Sequence, residues 1–299
     1  MIINLIKFNF LSKKRSLTIS QPKLDPQVRI AFIGGGNMAK AIIAGLLKHG
    51  HDPKNILVCA PSLATTSAIA EQYGVGVSQS NSDAVSFAHV LILAVKPFIV
   101  PLVCEELQPL LAEQQDKQAS KLVISIAAGI THQTISTKLN NHSSVVCAMP
   151  NLPTAIGQGL TGMFTHNTTA PQRQLADAVM NAVGDTVWLE DEKQMSTIVA
   201  TAGSSPAYFF LFLEAMEKAA IRQGLPANTA TKAVLQSAMG AISMAMESQL
   251  DFAALRRQVT SPKGTTEQAI LAFQDGDLDE LVANAMNSAA ERANELSLG

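Results

Sequence analysis

The chain is most constrained by a short apolar run, Arg29 to Ile33, that meets three consecutive glycines, Gly34 to Gly36. From Met38 to Lys48, Ile42, Ile43, Leu46 and Leu47 then recur at helical spacing. A strand turning this tightly into a helix needs neighbouring strands, and the sequence supplies them. Ile56 to Cys59, Val90 to Val95, Leu122 to Ile126 and Val145 to Ala148 are apolar runs of strand length. Helix-like stretches such as Thr65 to Tyr73 and Phe98 to Leu111 lie between several of them. Continuously apolar strands alternating with helices predict a doubly wound parallel sheet of the α/β class, covered on both faces.

After Trp188 and Leu189 the texture changes to long helical patterns rich in Ala, Met and Leu, with no convincing strand. Prolines at 206, 226 and 262 each suit a helix start, and Leu278 to Leu296 reads as a fourth helix. We therefore expect a flexible extension over 1–28, a nucleotide-binding domain over 29–189 and an all-helical domain over 190–299. Two domains also suit 299 residues, a length at which single cores stop growing. The Met and Ala stripes of the second domain, among them Met239, Met244 and Met246, are too apolar to bury within that domain alone, so part of this surface should pack on a second subunit.

Lys+Arg 22 against Asp+Glu 24 leaves no positive excess with which to neutralise nucleic acid or an anionic membrane. No apolar run approaches the ~20 residues of a bilayer span, so no membrane association is expected. Cys59, Cys104 and Cys147 are odd in number and lie beside apolar runs, as reduced core residues of a cytoplasmic protein do. The first residues put their apolar stretch before Lys13, Lys14 and Arg15, the reverse of a secretory signal. The histidines show no metal-binding spacing, and no G-x-S-x-G elbow points to a hydrolase.

Ile33-Gly34-Gly35-Gly36-Asn37-Met38-Ala39 contains the G-x-G-x-x-A form of the dinucleotide fingerprint. Gly34 makes the turn, Gly36 lets a pyrophosphate approach the helix N-terminus, and Ala39 lets the helix close on the strand. The second strand ends in Cys59-Ala60-Pro61-Ser62, where an NAD site usually carries Asp or Glu. Without that carboxylate, a 2'-phosphate could be held by Ser62 with Thr65 or Thr66. This favours NADPH, with NADH as the alternative, although no Arg or Lys lies between Asn55 and Gln72. Ser62 could equally serve only to cap the next helix.

Several further motifs follow in order: Ala94-Val95-Lys96-Pro97, Ile126-Ala127-Ala128-Gly129, Met149-Pro150-Asn151, Gly203-Ser204-Ser205-Pro206-Ala207-Tyr208 and Val259 through Thr266. With the glycine turn, they resemble the pyrroline-5-carboxylate reductase family over nearly everything from Arg29 onward. The resemblance implies a Rossmann-type sheet followed by an all-helical C-terminal domain that forms a homodimer or higher homo-oligomer. It also implies that Asn81, Ala94, Val95, Lys96, Pro97 and Ala128 line the cofactor, at strand ends where doubly wound sheets bind ligands. Lys96 taken alone reads as a solvated lysine.

For the substrate, the resemblance implies a clamp formed by Ser261, Gly264, Thr265 and Thr266, with Glu192 and Gln258 contributing. Thr266 would be the catalytic hydrogen-bond partner of the ring nitrogen. On spacing alone the same segment is an ordinary helix start, and Glu192 a surface acid. Lys263 stands where the family usually has Gly, Arg257 where Asp is common, Leu152 where Thr follows Met-Pro-Asn, and Gln249 where many members have Glu. The expected reaction is hydride transfer from NAD(P)H to 1-pyrroline-5-carboxylate, giving proline. The alternatives are a reductase of the β-hydroxyacid dehydrogenase type, which would need a lysine on a long helix in a motif that Lys218 and Lys232 lack, and a non-catalytic sensor of dinucleotide or proline.

Overall fold

The computed structural model describes residues 24–115, 120–142 and 144–298. Most of the extension expected over 1–28 lies outside these residues. β1 (Ile30–Ile33) leads through the glycine turn into α1 (Asn37–Lys48), and β2 (Ile56–Cys59), α2 (Leu63–Tyr73), β3 (Gly76–Ser78) and α3 (Asn81–Phe87) follow. The chain then crosses to the other side of β1 with β4 (Val90–Leu93), α4 (Val100–Gln115), β5 (Leu122–Ser125), α5 (His132–Lys138) and β6 (Val145–Met149). Three elements complete the sheet region: β7 (Gly159–Phe164), α6 (Ala170–Met180) and β8 (Gly184–Trp188).

The eight strands lie in the order β3-β2-β1-β4-β5-β6-β7-β8. All pairs are parallel except β6 with β7, which run antiparallel from Cys147↔Phe164 to Met149↔Gly162. The doubly wound sheet is therefore as expected, with an antiparallel turn-back that the apolar runs did not reveal. β7 and β8 carry glycines, threonines and an aspartate instead of a continuous aliphatic run, so they lacked that signal.

Alternation along β1 explains why both faces are covered. Ile30 and Phe32 enter one cluster with Ile42, Ile43 and Leu46 of α1 and Val179 of α6. Ala31 and Ile33 enter the opposite cluster with Val85 of α3, Cys104 and Leu107 of α4, and Ile135 of α5. Burying an aliphatic or aromatic side chain of this size contributes roughly 1.5–3 kcal/mol. Leu24 and Val28 pack against the first cluster, so packing begins ahead of Arg29.

The rest of the chain is helical: α7 (Gln194–Ile198), a π-helical turn over Val199–Gly203, α8 (Ser205–Arg222), α9 (Ala227–Glu247), α10 (Phe252–Gln258), α11 (Thr265–Asp275) and α12 (Leu278–Leu298). By compactness the described chain divides into two units, one spanning 24–208 with 283–298 and the other 209–282. The π turn joins α7 to α8, making one helical stretch, Gln194–Arg222, of 29 residues with a mean hydropathy of 1.3 in its most apolar window. By length and composition it could cross a membrane, which corrects the expectation that no such stretch exists. The sequence reading split it at Pro206, but a proline in the first turn of α8 does not interrupt it.

Within the helical unit Ala230 and Val234 are buried, and Phe212 packs on Phe273 with ring centroids 5.9 Å apart. Many large side chains stay open, among them Phe210 at 63% and Met239 at 57% exposure. Apolar surface on this scale marks an interaction face.

The segment before α11 shows what a side chain at Lys263 costs. Lys263 has φ +59, in the left-handed region that a β-carbon disfavours. Glu267 supports it by accepting from the Lys263 N–H at 2.7 Å. Replacing Lys263→Gly should stabilise the protein by about 0.5–1 kcal/mol, the relief of strain net of the added freedom of the unfolded chain. Chemical denaturation of the two proteins will measure this, and a destabilised glycine variant would mean the loop gains more from Lys263 than it loses.

Candidate active site

The strand order fixes where a ligand can enter. β1 is flanked by β2 on one side and β4 on the other, and their connections leave in opposite directions, opening a crevice beyond the carboxyl ends of the strands. Gly34 sits at its floor. Its N–H donates to the Cys59 carbonyl at 2.8 Å, its φ is +103, and a β-carbon there would lie 2.6 Å from the Ala94 carbonyl oxygen. No other residue fits that position.

Gly36 differs. It has φ -72 and caps α1 with no side chain, and nothing lies within 4 Å of where its β-carbon would be. The first α-helical bond of α1 runs from Lys40 N–H to the Gly36 carbonyl, so the N–H groups of Asn37, Met38 and Ala39 precede it. Open space above free N–H groups at the positive end of a helix dipole fits a pyrophosphate. Ala39, 1% exposed, packs α1 onto the sheet. The residues present therefore fit a dinucleotide.

Around this turn the other expected residues gather at the same sheet edge. Ala94 N–H donates to Ile33 at 2.8 Å, which sets the Ala94–Pro97 segment beside Gly34. Lys96 is exposed, with its Nζ 5.9 Å from the Phe98 ring centroid. Asn81, the first residue of α3, donates to Glu106 at 2.9 Å. Ser62 ends the segment after β2 and caps α2, accepting from Thr65 N–H at 3.3 Å. Thr66 is 1% exposed and its hydroxyl donates to the Leu63 carbonyl at 3.0 Å, so its expected share in holding a phosphate is withdrawn.

Ala128 lies on the rim of a cleft of about 210 Å³ that also contains Thr131, Met149, Glu192 and Asn294. Glu192 is no free surface acid, because its carboxylate accepts from the His132 backbone N–H at the first turn of α5. His132 itself is buried, and both its ring nitrogens lack partners beside the edges of Phe164 and His166. Burial, then the neighbouring His166, holds its pKa below the usual histidine value. Sequence reasoning missed Thr131 and Asn294, and for Asn294 no local signal existed: the end of α12 delivers it from about 165 positions away in the chain.

The three cysteines are free and buried. Burial pushes the thiols of Cys59 and Cys104 up to about 11, and burial with the Glu192 charge pushes Cys147 up further. None is a nucleophile at neutral pH. Among the described residues no cluster suited to a metal ion occurs.

The expected clamp residues belong to the helical unit and share one short segment. Gln258 ends α10, Ser261 accepts from Gly264 N–H at 3.0 Å, and Gly264 caps α11 without a side-chain bond. The first helical bond of α11 runs from Gln268 N–H to Gly264, so the Thr265 and Thr266 N–H groups precede it, and both side chains are exposed. The segment presents hydroxyls and N–H groups to an anion.

Leu152 is 68% exposed just past Asn151. Asn151 is a structural tie: it donates to the Ala202 carbonyl at 3.0 Å and accepts from Leu160 N–H at 3.0 Å. It links the start of β7 to the π turn.

Comparison with known proteins bears on the family of the chain. The family described as "Pyrroline-5-carboxylate reductase dimerisation" matches residues 192–296, and "NADP oxidoreductase coenzyme F420-dependent" matches 29–129. A pyrroline-5-carboxylate reductase of Pseudomonas aeruginosa is 41% identical over 270 residues, covering 90% of this chain and 97% of the relative. The solved pyrroline-5-carboxylate reductase of Coxiella burnetii has a TM-score of 0.85 and 42% identity, covering 91% of this chain and 99% of its own. The Plasmodium falciparum pyrroline carboxylate reductase, solved with NADP bound, shares the fold with a TM-score of 0.78 at 24% identity over 91% of this chain and 99% of its own. The chain belongs to the pyrroline-5-carboxylate reductase family.

Proposed function

We propose that this protein reduces 1-pyrroline-5-carboxylate to L-proline with NADPH, as the final step of proline synthesis. The observation that carries the reading is the pairing of an uncapped, unobstructed α1 N-terminus with a family match that runs almost the full length of both chains. When bound, the reduced dinucleotide supplies the hydride.

The chain's own residues account for the rest. The N–H groups of Asn37 to Ala39 hold the pyrophosphate, and Gly34 to Gly36 let it approach. Ala94 to Pro97, Ala128 and Asn81 border the cofactor, while Ser62 and Lys96 border its ribose. NADPH is preferred because no carboxylate ends β2 to repel a 2'-phosphate.

The free N–H groups of Thr265 and Thr266 and the hydroxyls of Ser261 and Thr265, brought together by the turn at Gly264, hold the substrate carboxylate, with Gln258 alongside. The Thr266 hydroxyl accepts from the N–H of the protonated ring, which keeps the imine carbon electrophilic. Glu192 borders the substrate in the cleft beside Ala128, and its bond to His132 fixes the loop that carries Ala128.

The dimerisation match and the open apolar faces of α8 and α9 support a homo-oligomer, a dimer or a larger assembly of dimers. Buried, unpaired cysteines suit a reducing compartment, the cytoplasm.

Purified protein mixed with NADPH and pyrroline-5-carboxylate should oxidise the nicotinamide and release proline, and binding of both without turnover would favour the sensor reading instead. Thr266→Ala should lower kcat by about 10²-fold, as loss of a transition-state donor or acceptor does, with NADPH affinity nearly intact. Equal loss of both would show the substrate turn has been misassigned. Gly36→Val should fold normally, since φ -72 suits any residue, yet should weaken NADPH by at least about tenfold as its side chain fills the cradle. Unchanged affinity in a direct titration would remove α1 from the cofactor site.

A further inference from the structure

At the end of the sheet opposite the nucleotide crevice, the residues that immediately precede four adjacent parallel strands form a row. Arg29 precedes β1, His89 precedes β4, Lys121 precedes β5 and Ser144 precedes β6. Three of the four are basic. A cavity of about 750 Å³ opens there, lined by His89, Lys121 and Ser144 together with Ser120 and Gln172, and no carboxylate lines it among the described residues.

Lys121 is the unusual member. It is 7% exposed, and its Nζ donates to the neutral Ala88 carbonyl at 2.7 Å. An ammonium has three donors, and a buried charge is normally paired. The ion pairs of the described residues do not include it. A second cation makes matters worse. Arg29 is anchored through Nε to the Phe87 carbonyl at 2.5 Å, with its other guanidinium donors left over. Burial first and the Arg29 charge second push the Lys121 pKa down, the sign of an ammonium held without compensation. Asp25 is felt at His89, but it does not line the cavity.

Neutral hydroxyl and amide groups, bonded to one another, complete the wall. Ser144 Oγ donates to Ser120 Oγ at 3.0 Å, and Gln172 Nε2 donates to Ser144 Oγ at 2.6 Å. Gln172 is fixed because its Oε1 accepts from Thr169 N–H at 3.0 Å in the capping box of α6. The cavity therefore joins fixed hydroxyls and an amide to an under-paired lysine, with nothing acidic among the described residues of its lining.

We propose that this cavity binds a small metabolite through an oxyanion group, a phosphate or a carboxylate, which pairs with Lys121 and is flanked by Ser120, Ser144 and Gln172. The site is separate from the nucleotide crevice: one stands at the amino ends of the strands, the other at their carboxyl ends. It does not depend on the reaction assigned above.

The test measures thermal unfolding with NADP+ saturating the nucleotide site and proline saturating the Ser261–Thr266 segment, so that added anions cannot act at either. Inorganic phosphate and succinate are titrated separately against chloride at constant ionic strength. Wild type should show a saturable rise in Tm with at least one of them. A response to phosphate alone assigns the site to a phosphate-bearing metabolite, and a response to succinate alone assigns it to a carboxylic acid. Lys121→Met should weaken that response by at least about tenfold in apparent affinity. Its Tm in chloride should be no lower than wild type, because an uncompensated buried charge has been removed.

Gln172→Glu keeps the capping box and adds a fixed negative charge, so it should abolish the response in a folded protein even if Lys121→Met does not fold. No saturable response to either anion in wild type would overturn the proposal. So would a response of equal strength in wild type and Gln172→Glu, which would mean only general salt stabilisation.

Discussion

β1 is hydrogen-bonded along both edges, to β2 from Ile30↔Ile56 through Ile33↔Cys59 and to β4 from Ile30↔Val90 through Ile33↔Leu93. Its four side chains are buried alternately on the two faces. A strand held in this way cannot slip, because a shift of one residue would exchange its two faces. The turn at Gly34 is consequently fixed to within a hydrogen bond of Cys59 and a contact with Ala94. Three features at the carboxyl ends of the strands are registered from that point: the helix that starts at Asn37, the segment that leaves β4, and the loop that leaves β5.

The two ends of the sheet then take different chemistry from the same geometry. At the carboxyl ends, loops diverge and leave N–H groups of α1 exposed to an anion, with no lysine or arginine needed at the turn itself. At the amino ends, side chains instead of main-chain groups face the space, and the residues there are Arg29, His89 and Lys121. A helix N-terminus spreads partial charge over several N–H groups that water can reach. A buried ammonium concentrates it and must be answered locally.

Motifs that bear on one turn were legible because the chemistry is local. The glycine pattern gave the crevice, the runs at Val90 and Leu122 gave β4 and β5, and Lys263 announced a backbone strain that its φ of +59 bears out. Ser62 illustrates a residue with two readings, since its side chain does cap α2 while standing at the end of β2. Thr66 was misjudged because its hydroxyl could turn back onto the Leu63 carbonyl, a choice that depends on burial against the sheet.

By itself the sequence determined the doubly wound sheet, the glycine turn into α1 at Gly34 to Ala39 and the helical character beyond residue 190, because apolar period, glycine and proline act over a few residues. Tertiary structure alone decided the antiparallel entry of β7, the fusion of α7 and α8 through a π turn, and the arrival of Asn294 beside Ala128. It also turned Glu192 from a surface acid into the anchor of α5 and set Lys121 in a cavity that no carboxylate of the described residues lines. These depend on which distant segments meet, and a local pattern carries no record of its partner's position.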